Sequence, residues 1–169
     1  MRRVQSGETP AFTELFNRYR SRLYAFLARR VGDAVADDLF QETWLRVVRA
    51  RESFDPSRRF STWLFQIANN LCRDSGRRRA AKGRAEDAVH EAGRGDPRLR
   101  TPAPELRLDV ERRLAGLPER LQEVLVLRYY EQMTESEIAE VVGIPAGTVK
   151  SRLHAAIHTL RGREVDDAG

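Results

Sequence analysis

A chain of 169 residues with a net charge of +5 and a pI near 10 has room for one domain or two small ones, and its basic balance favours a polyanionic partner. Charged residues make up 33% and apolar residues 41%, which suits small helical domains with much solvated surface, and no apolar run approaches a membrane span. The single cysteine, Cys72, excludes an internal disulfide and suits a reducing compartment; residues 1–7 lack the apolar core of a signal peptide, so the cytoplasm is the expected location.

The N-terminal stretch is short, so little helix is expected before Gly7. From Thr9, the steps of three and four between Phe12, Leu15, Phe16, Tyr19, Leu23, Phe26 and Leu27 predict an amphipathic helix. Thr9 is read as its cap, Pro10 as a first-turn residue and Gly32 as its end. A second helix is predicted from Asp37 to about Arg51, with Leu39, Phe40, Trp44, Leu45, Val47 and Val48. Phe54-Asp55-Pro56-Ser57 breaks the pattern as a loop. A third helix is predicted from Ser61-Thr62, carrying Trp63, Leu64, Ile67, Ala68, Leu71 and Cys72, and ending at Ser75-Gly76 before Arg77-Arg78-Arg79.

Residues 79–104 lose their large apolar side chains and read as a flexible linker, with at most a short helix near Ala85–Ala92. Beyond it, Leu106, Leu108, Val110 and Leu114 share a stripe, and Leu117-Pro118-Glu119 restarts the chain as a helix with Leu121, Val124, Leu125, Leu127 and Tyr129. Two more helices follow. The expected organisation is all-α: one helical domain over 1–78, the linker 79–104, a second over 105–163 and a tail 164–169, with no internal repeat.

Charge divides unevenly, at +6 for residues 1–78, +2 for 79–104 and −3 for 105–169. The negative second domain is polarised, because Gly143 to Arg163 contains no acid and holds Lys150, Arg152, Arg161 and Arg163. Lys82 and Lys150 are the only lysines; arginine makes bidentate phosphate and guanine contacts, although a GC-rich coding sequence would produce the same bias.

Thr134 to Leu153 carries the most specific local pattern. Thr134 with Glu137 forms a capping box, Ala139 is small where helices cross, and Gly143 sits where positive φ is needed. Ile144 and Val149 seat a second helix that begins at Pro145-Ala146-Gly147-Thr148. This spacing is that of a helix-turn-helix, whose second helix enters the DNA major groove. Lys150, Ser151, Arg152 and His154 are expected on its outward face, with Gly147 and Thr148 at an amide-rich end suited to a phosphate. His154 and His158 lie four apart, but no third ligand is near, so no metal is expected.

With this motif in place, the chain resembles the extracytoplasmic-function (ECF) sigma factors of bacterial RNA polymerase, in the sigma-70 family. The run from Asp37 to Val47 is similar to that family's polymerase-binding helix. Phe54, Phe60 to Asn70, Asp74 and Arg77-Arg78 are similar to its promoter-melting segment. Leu117 to Arg128 and Gly147 to Arg152 are similar to its helix-turn-helix domain. The resemblance implies a factor that directs core polymerase to promoters, reads the minus-thirty-five and minus-ten elements and assists melting, without enzymatic activity or cofactor.

It further implies that Asp37, Asp38, Gln41, Glu42, Leu45 and Arg46 meet a coiled coil of the largest polymerase subunit. Phe54, Asp55, Ser57, Arg58, Arg59, Asn70 and Arg73 would hold single-stranded minus-ten DNA, with Phe54 and Asn70 at a base pocket and Asp55 to Ser57 as its lid. The helix over Leu121 to Tyr130 would touch the polymerase flap, and an anti-sigma factor would mask these surfaces. Departures at Ala146, His154 and Asp55-Pro56 leave the promoter sequence open. Trp63, in step with Ile67, reads as core.

Two rivals share parts of this pattern. A helix-turn-helix repressor or activator needs neither the melting segment nor the docking helix. A metal-dependent hydrolase built on Asp37, Asp38 and Glu42 needs a facing set of carboxylates, and the third helix offers only Asp74.

Overall fold

The structure, a computed structural model, describes residues 1–82 and 113–166. Among them there is no strand, and the chain forms two compact helical units. The expected linker residues 83–104 and the apolar positions Leu106, Leu108 and Val110 lie outside the described residues, as does the short helix expected near Ala85–Ala92.

The first unit opens with α1 (Arg2–Gln5), a helical turn where little helix was expected. Four residues cannot hold a helix by themselves; Val4, only 5% exposed, anchors this one on the unit. Gly7, at φ 85°, turns the chain into α2 (Thr9–Val31). The N-cap of α2 is Glu8, whose carbonyl receives the Ala11 and Phe12 amides, and Thr9 is already helical. Thr9 therefore does not cap, since a residue inside the first turn cannot turn its hydroxyl back on the N2 and N3 amides.

Gly32, at φ 79°, both ends α2 and starts α3 (Asp33–Arg49). Its N–H donates to the Ala28 carbonyl, and its own carbonyl accepts from Val35 and Ala36. The second helix thus begins four residues before Asp37. A 3-10 turn (Arg51–Ser53) and a loop lead into α4 (Phe60–Lys82). That helix does not stop at Ser75-Gly76: one glycine costs about 1 kcal/mol, which neighbouring turns absorb. Its extension is tied down where Arg79 Nη1 donates to the Val31 carbonyl at 3.4 Å.

α2 packs on α3 and α4, and α3 packs on α4. Leu23, Phe26, Leu27, Val47, Leu64, Phe65 and Ala68 are completely buried between them, with Phe26 edge-on to Phe65 at 5.2 Å.

In the second unit a helical turn over 113–115 precedes α5 (Glu119–Tyr129), α6 (Glu135–Val142) and α7 (Ala146–Asp166). Val124, Val126, Leu127, Ile138, Val141, Val142 and Val149 form the centre of that unit. Leu114, Leu117, Leu121, Leu125 and Ala156 fill a second cluster, to which Tyr130 and Leu160 add cover.

The capping box forms as the spacing predicts. Glu137 N–H donates to Thr134 Oγ1 at 3.3 Å and Thr134 N–H donates to Glu137 Oε2 at 2.9 Å. Gly143 is left-handed, at φ 72° and ψ 39°, and its amide and that of Ile144 both close on the Ala139 carbonyl. A Cβ at Gly143 would meet nothing within 4 Å, so only backbone conformation demands glycine here. Gly143→Ala should destabilise the second unit by about 1 kcal/mol, and Gly143→Asn by less, because asparagine tolerates this region better. Urea unfolding checks this; an unchanged midpoint for alanine would contradict the left-handed cap.

Candidate nucleic-acid interface

In the second unit, burial sorts the residues of α7 into two faces. Val149, Leu153 and Ala156 turn inward, whereas Gly147, Lys150, Ser151 and His154 are exposed on the other side and Thr148 is half-buried. Of the expected outward face, Lys150, Ser151 and His154 are exposed. Ser151 Oγ donates to the Thr148 carbonyl at 3.0 Å, which leaves its oxygen lone pairs as acceptors. Thr148 and Val149 amides are closed by the Pro145 carbonyl, so the amides ahead of them are the ones open to a phosphate.

Arg152, expected on the outward face, donates from Nη1 to Glu123 Oε1 of α5 at 3.0 Å, with its side chain 24% exposed and that of Glu123 only 2%. A buried carboxylate draws in the nearest guanidinium, since each alone would be costly to desolvate. The signal in the sequence was Glu123, a charge inside the apolar stripe of α5. His154 and His158 are both exposed, and no group of three metal-ligating side chains occurs among the described residues.

In the first unit, Phe54 is 4% exposed and its ring packs on Trp63 at 4.8 Å and Phe60 at 6.1 Å. Phe60 in turn meets Tyr19 of α2 at 5.2 Å. Trp63 is half-buried and serves as the packing surface for the loop. Phe54 therefore anchors the loop, and the residues after it stand out: Asp55, Pro56, Ser57 and Arg59 are exposed, while Arg58 is half-buried.

Asp55 folds the loop on itself. Its Oδ1 accepts the Ser57 amide at 2.9 Å and its Oδ2 accepts the Ser57 hydroxyl at 2.8 Å, and these bonds hold its carboxyl below the usual aspartate range. Arg58 Nη2 reaches Gln66 Oε1 of α4 at 3.4 Å, a long contact that brings the loop over the helix. Asn70 lies four residues after Gln66 on the same face and is exposed, and Arg73 follows half-buried, one turn on. Gln66 was not among the expected site residues; its spacing to Asn70 was the available signal. Gln5 was missed too: its Nε2 donates to the carbonyls of Arg51 at 3.0 Å and Phe54 at 2.8 Å, across 46 and 49 residues that no local pattern connects.

The six residues expected to meet polymerase fall on two adjacent rows of α3, Asp37–Gln41–Leu45 and Asp38–Glu42–Arg46. Glu42 Oε1 accepts from Arg46 Nε at 2.8 Å, and this bond lowers the Glu42 pKa. Gln41 and Leu45 line an open groove of about 460 Å³, completed by Phe12 and Phe16 of α2 and by Phe40, Trp44 and Val48 of α3. Leu45 is 49% exposed and Val48 37%. The sequence marked this helix by its charges; the structure adds an apolar groove beside them.

A helical unit with an open apolar groove and a basic loop, followed by a helix-turn-helix, defines a DNA-binding protein of transcription. The family model for sigma-70 region 2 matches residues 15–82 and that for sigma-70 region 4 matches residues 107–160. The ECF RNA polymerase sigma factor SigW of Bacillus subtilis is 30% identical, with 95% of this chain and 92% of that protein covered. The RNA polymerase sigma factor CarQ of Myxococcus xanthus is 36% identical, with 95% and 93% covered. Among solved structures, CnrH in complex with the cytosolic domain of CnrY superposes with a TM-score of 0.71 at 28% identity, covering 96% of this chain and 93% of that one. The chain belongs to the sigma-70 family, as an ECF sigma factor.

Two outcomes are expected of these contacts. Because the folded pKa of Asp55 is depressed, the turn is intact above the ordinary aspartate pKa of about 4 and is lost as pH falls through the lowered value. Carboxyl NMR should place the Asp55 midpoint below the ordinary one, and Ser57→Ala should return it part of the way. Arg152→Ala should destabilise the second unit by about 2–3 kcal/mol in urea, below the full cost of breaking a buried pair because the guanidinium is partly solvated. Unchanged stability with weakened upstream-element binding would make Arg152 a base reader instead.

Proposed function

We propose that this sigma factor carries core RNA polymerase to promoters by dividing three tasks among three surfaces. The outward face of α7, with Gly147, Thr148, Lys150, Ser151 and His154, reads the minus-thirty-five element. Lys150 supplies a phosphate or guanine contact, Ser151 accepts or bridges, and Arg152 holds the helix in place. The loop and α4 hold the minus-ten element once it is single-stranded. Arg58, Arg59 and Arg73 supply charge along the backbone, and a flipped base lies between the Asp55–Ser57 turn and the Gln66–Asn70 face. The α3 rows and the apolar groove dock on the coiled coil of the largest polymerase subunit, the charges setting register and Leu45 and Val48 supplying buried area.

Tyr129, 57% exposed at the end of α5, suits a contact with the polymerase flap. An anti-sigma protein covers part of these surfaces until transcription is called for; CnrH, a solved relative, is held by the cytosolic domain of CnrY. The cytoplasm is where core polymerase and promoters are met, and no described helix is long and apolar enough to cross a membrane. The work is binding and positioning, without a reaction catalysed by the chain itself or a cofactor.

The observation that carries this proposal is the pairing, in one chain, of the helix-turn-helix with a loop-and-helix surface that presents both polar and cationic groups over an aromatic anchor. Run-off transcription tests it: core polymerase with this chain should initiate at discrete sites on a promoter panel. Leu45→Asp should weaken core binding at least about tenfold at unchanged thermal stability, since the side chain is already half exposed. Core polymerase left without promoter selectivity, and no stoichiometric complex with it, would point to a plain repressor or activator.

A further inference from the structure

We infer that Gln5 is a positioning residue for the minus-ten loop, and that α1 is part of the device that selects the downstream base. The inference rests on the proposal that the Asp55–Ser57 loop holds that base.

The loop leaves the core at Phe54, and its conformation is set at two ends. The Phe54 side chain is fixed by Trp63 and Phe60, and beyond it Asp55 closes on Ser57. What remains is the backbone at the entrance, where the carbonyls of Arg51 and Phe54 flank the 3-10 turn. The Phe54 amide gives the Arg51 carbonyl only a long bond of 3.4 Å. The carboxamide of Gln5 donates to both carbonyls at once, at 3.0 and 2.8 Å, and so bridges the turn. Only a side chain with two N–H groups on one nitrogen can do this from one place.

The position of Gln5 is itself secured. Val4 beside it is buried, and the far side of the turn is closed by the Glu8 amide on the Arg3 carbonyl at 3.1 Å and by Arg3 with Glu8 at 2.9 Å. These links hold α1 to the start of α2, so the amide is presented from a fixed platform. Two ordinary hydrogen bonds correspond to roughly a tenfold shift in the population of the loop conformer they favour. A loop that selects a base by shape loses discrimination when that population falls.

The test uses holoenzyme assembled from the full chain and core polymerase, on a promoter found in the run-off panel. Each base of the two elements is replaced in turn, and open-complex formation is expressed as a ratio to the unsubstituted promoter. That ratio cancels a general loss of folded protein. Gln5→Ala should flatten discrimination at the downstream element by up to about tenfold while ratios at the upstream element stay as in the natural chain. Gln5→Glu, which keeps the shape but offers carboxylate oxygens to two carbonyls, should do the same. Asp55→Ala serves as the loop control. Wild-type ratios with both Gln5 variants, beside flattening by Asp55→Ala, would overturn the role of Gln5 alone. Wild-type ratios with Gln5→Glu only would assign the effect to packing and overturn it as well. Unchanged downstream ratios for Asp55→Ala would remove the loop from base selection, and the inference with it.

Discussion

The ring of Phe54 is where the first unit is tied together. It packs on Trp63 and Phe60 of α4, Phe60 leans on Tyr19 of α2, and the Phe54 carbonyl receives Gln5 of α1. Burying a phenylalanine contributes about 2–3 kcal/mol and each favourable ring pair about another 0.5–1.5 kcal/mol, so this contact outweighs any single exposed ion pair in the unit. Its consequence is geometric. A loop held by an aromatic anchor at its root can leave Asp55, Pro56, Ser57 and Arg59 in solvent without becoming a random segment. The polar atoms of the loop are then preorganised, and their ordering entropy is lost on folding.

The second unit solves a related problem with charge. Its recognition helix must present one face outward at a fixed angle, and three features set that angle: the capping box at the start of α6, the left-handed Gly143 and the Arg152–Glu123 pair. The first two fix the turn and the third fixes the rotation of α7 about its own axis against α5. A buried ion pair is weak evidence for stability but a good specifier of geometry, because a rotated helix would leave the Glu123 carboxylate without this guanidinium. The outward face is correspondingly smaller than a count of its cations suggests, with Lys150 as its one basic side chain up to His154.

The first unit keeps two kinds of surface apart. The groove between α2 and α3 is aromatic and apolar, with Asp38, Glu42 and Arg46 along its flank. The loop and α4 carry Arg58, Arg59 and Arg73. A helical unit of about eighty residues cannot bury all of its apolar surface, and the part left open here is the groove beside Leu45 and Val48.

The order of the helices, the loop at Phe54, the capping box and the glycine turn were all legible in the sequence, because each depends on residues within one or two turns of one another. So were the two rows of α3, since the spacing of three and four residues places side chains on a face whatever the helix packs against. Tertiary structure alone decided the rest. It paired Arg152 with a carboxylate 29 residues away, and made a helical turn of α1 where an isolated tetrapeptide would have none. It also carried α4 past Gly76 and set the Gln5 amide on carbonyls 46 and 49 residues distant. The physical reason is the same in each case: periodicity and capping are local energies written in neighbouring residues, whereas the partner of a buried charge or a bridging amide is whatever the packed chain brings within 3 Å.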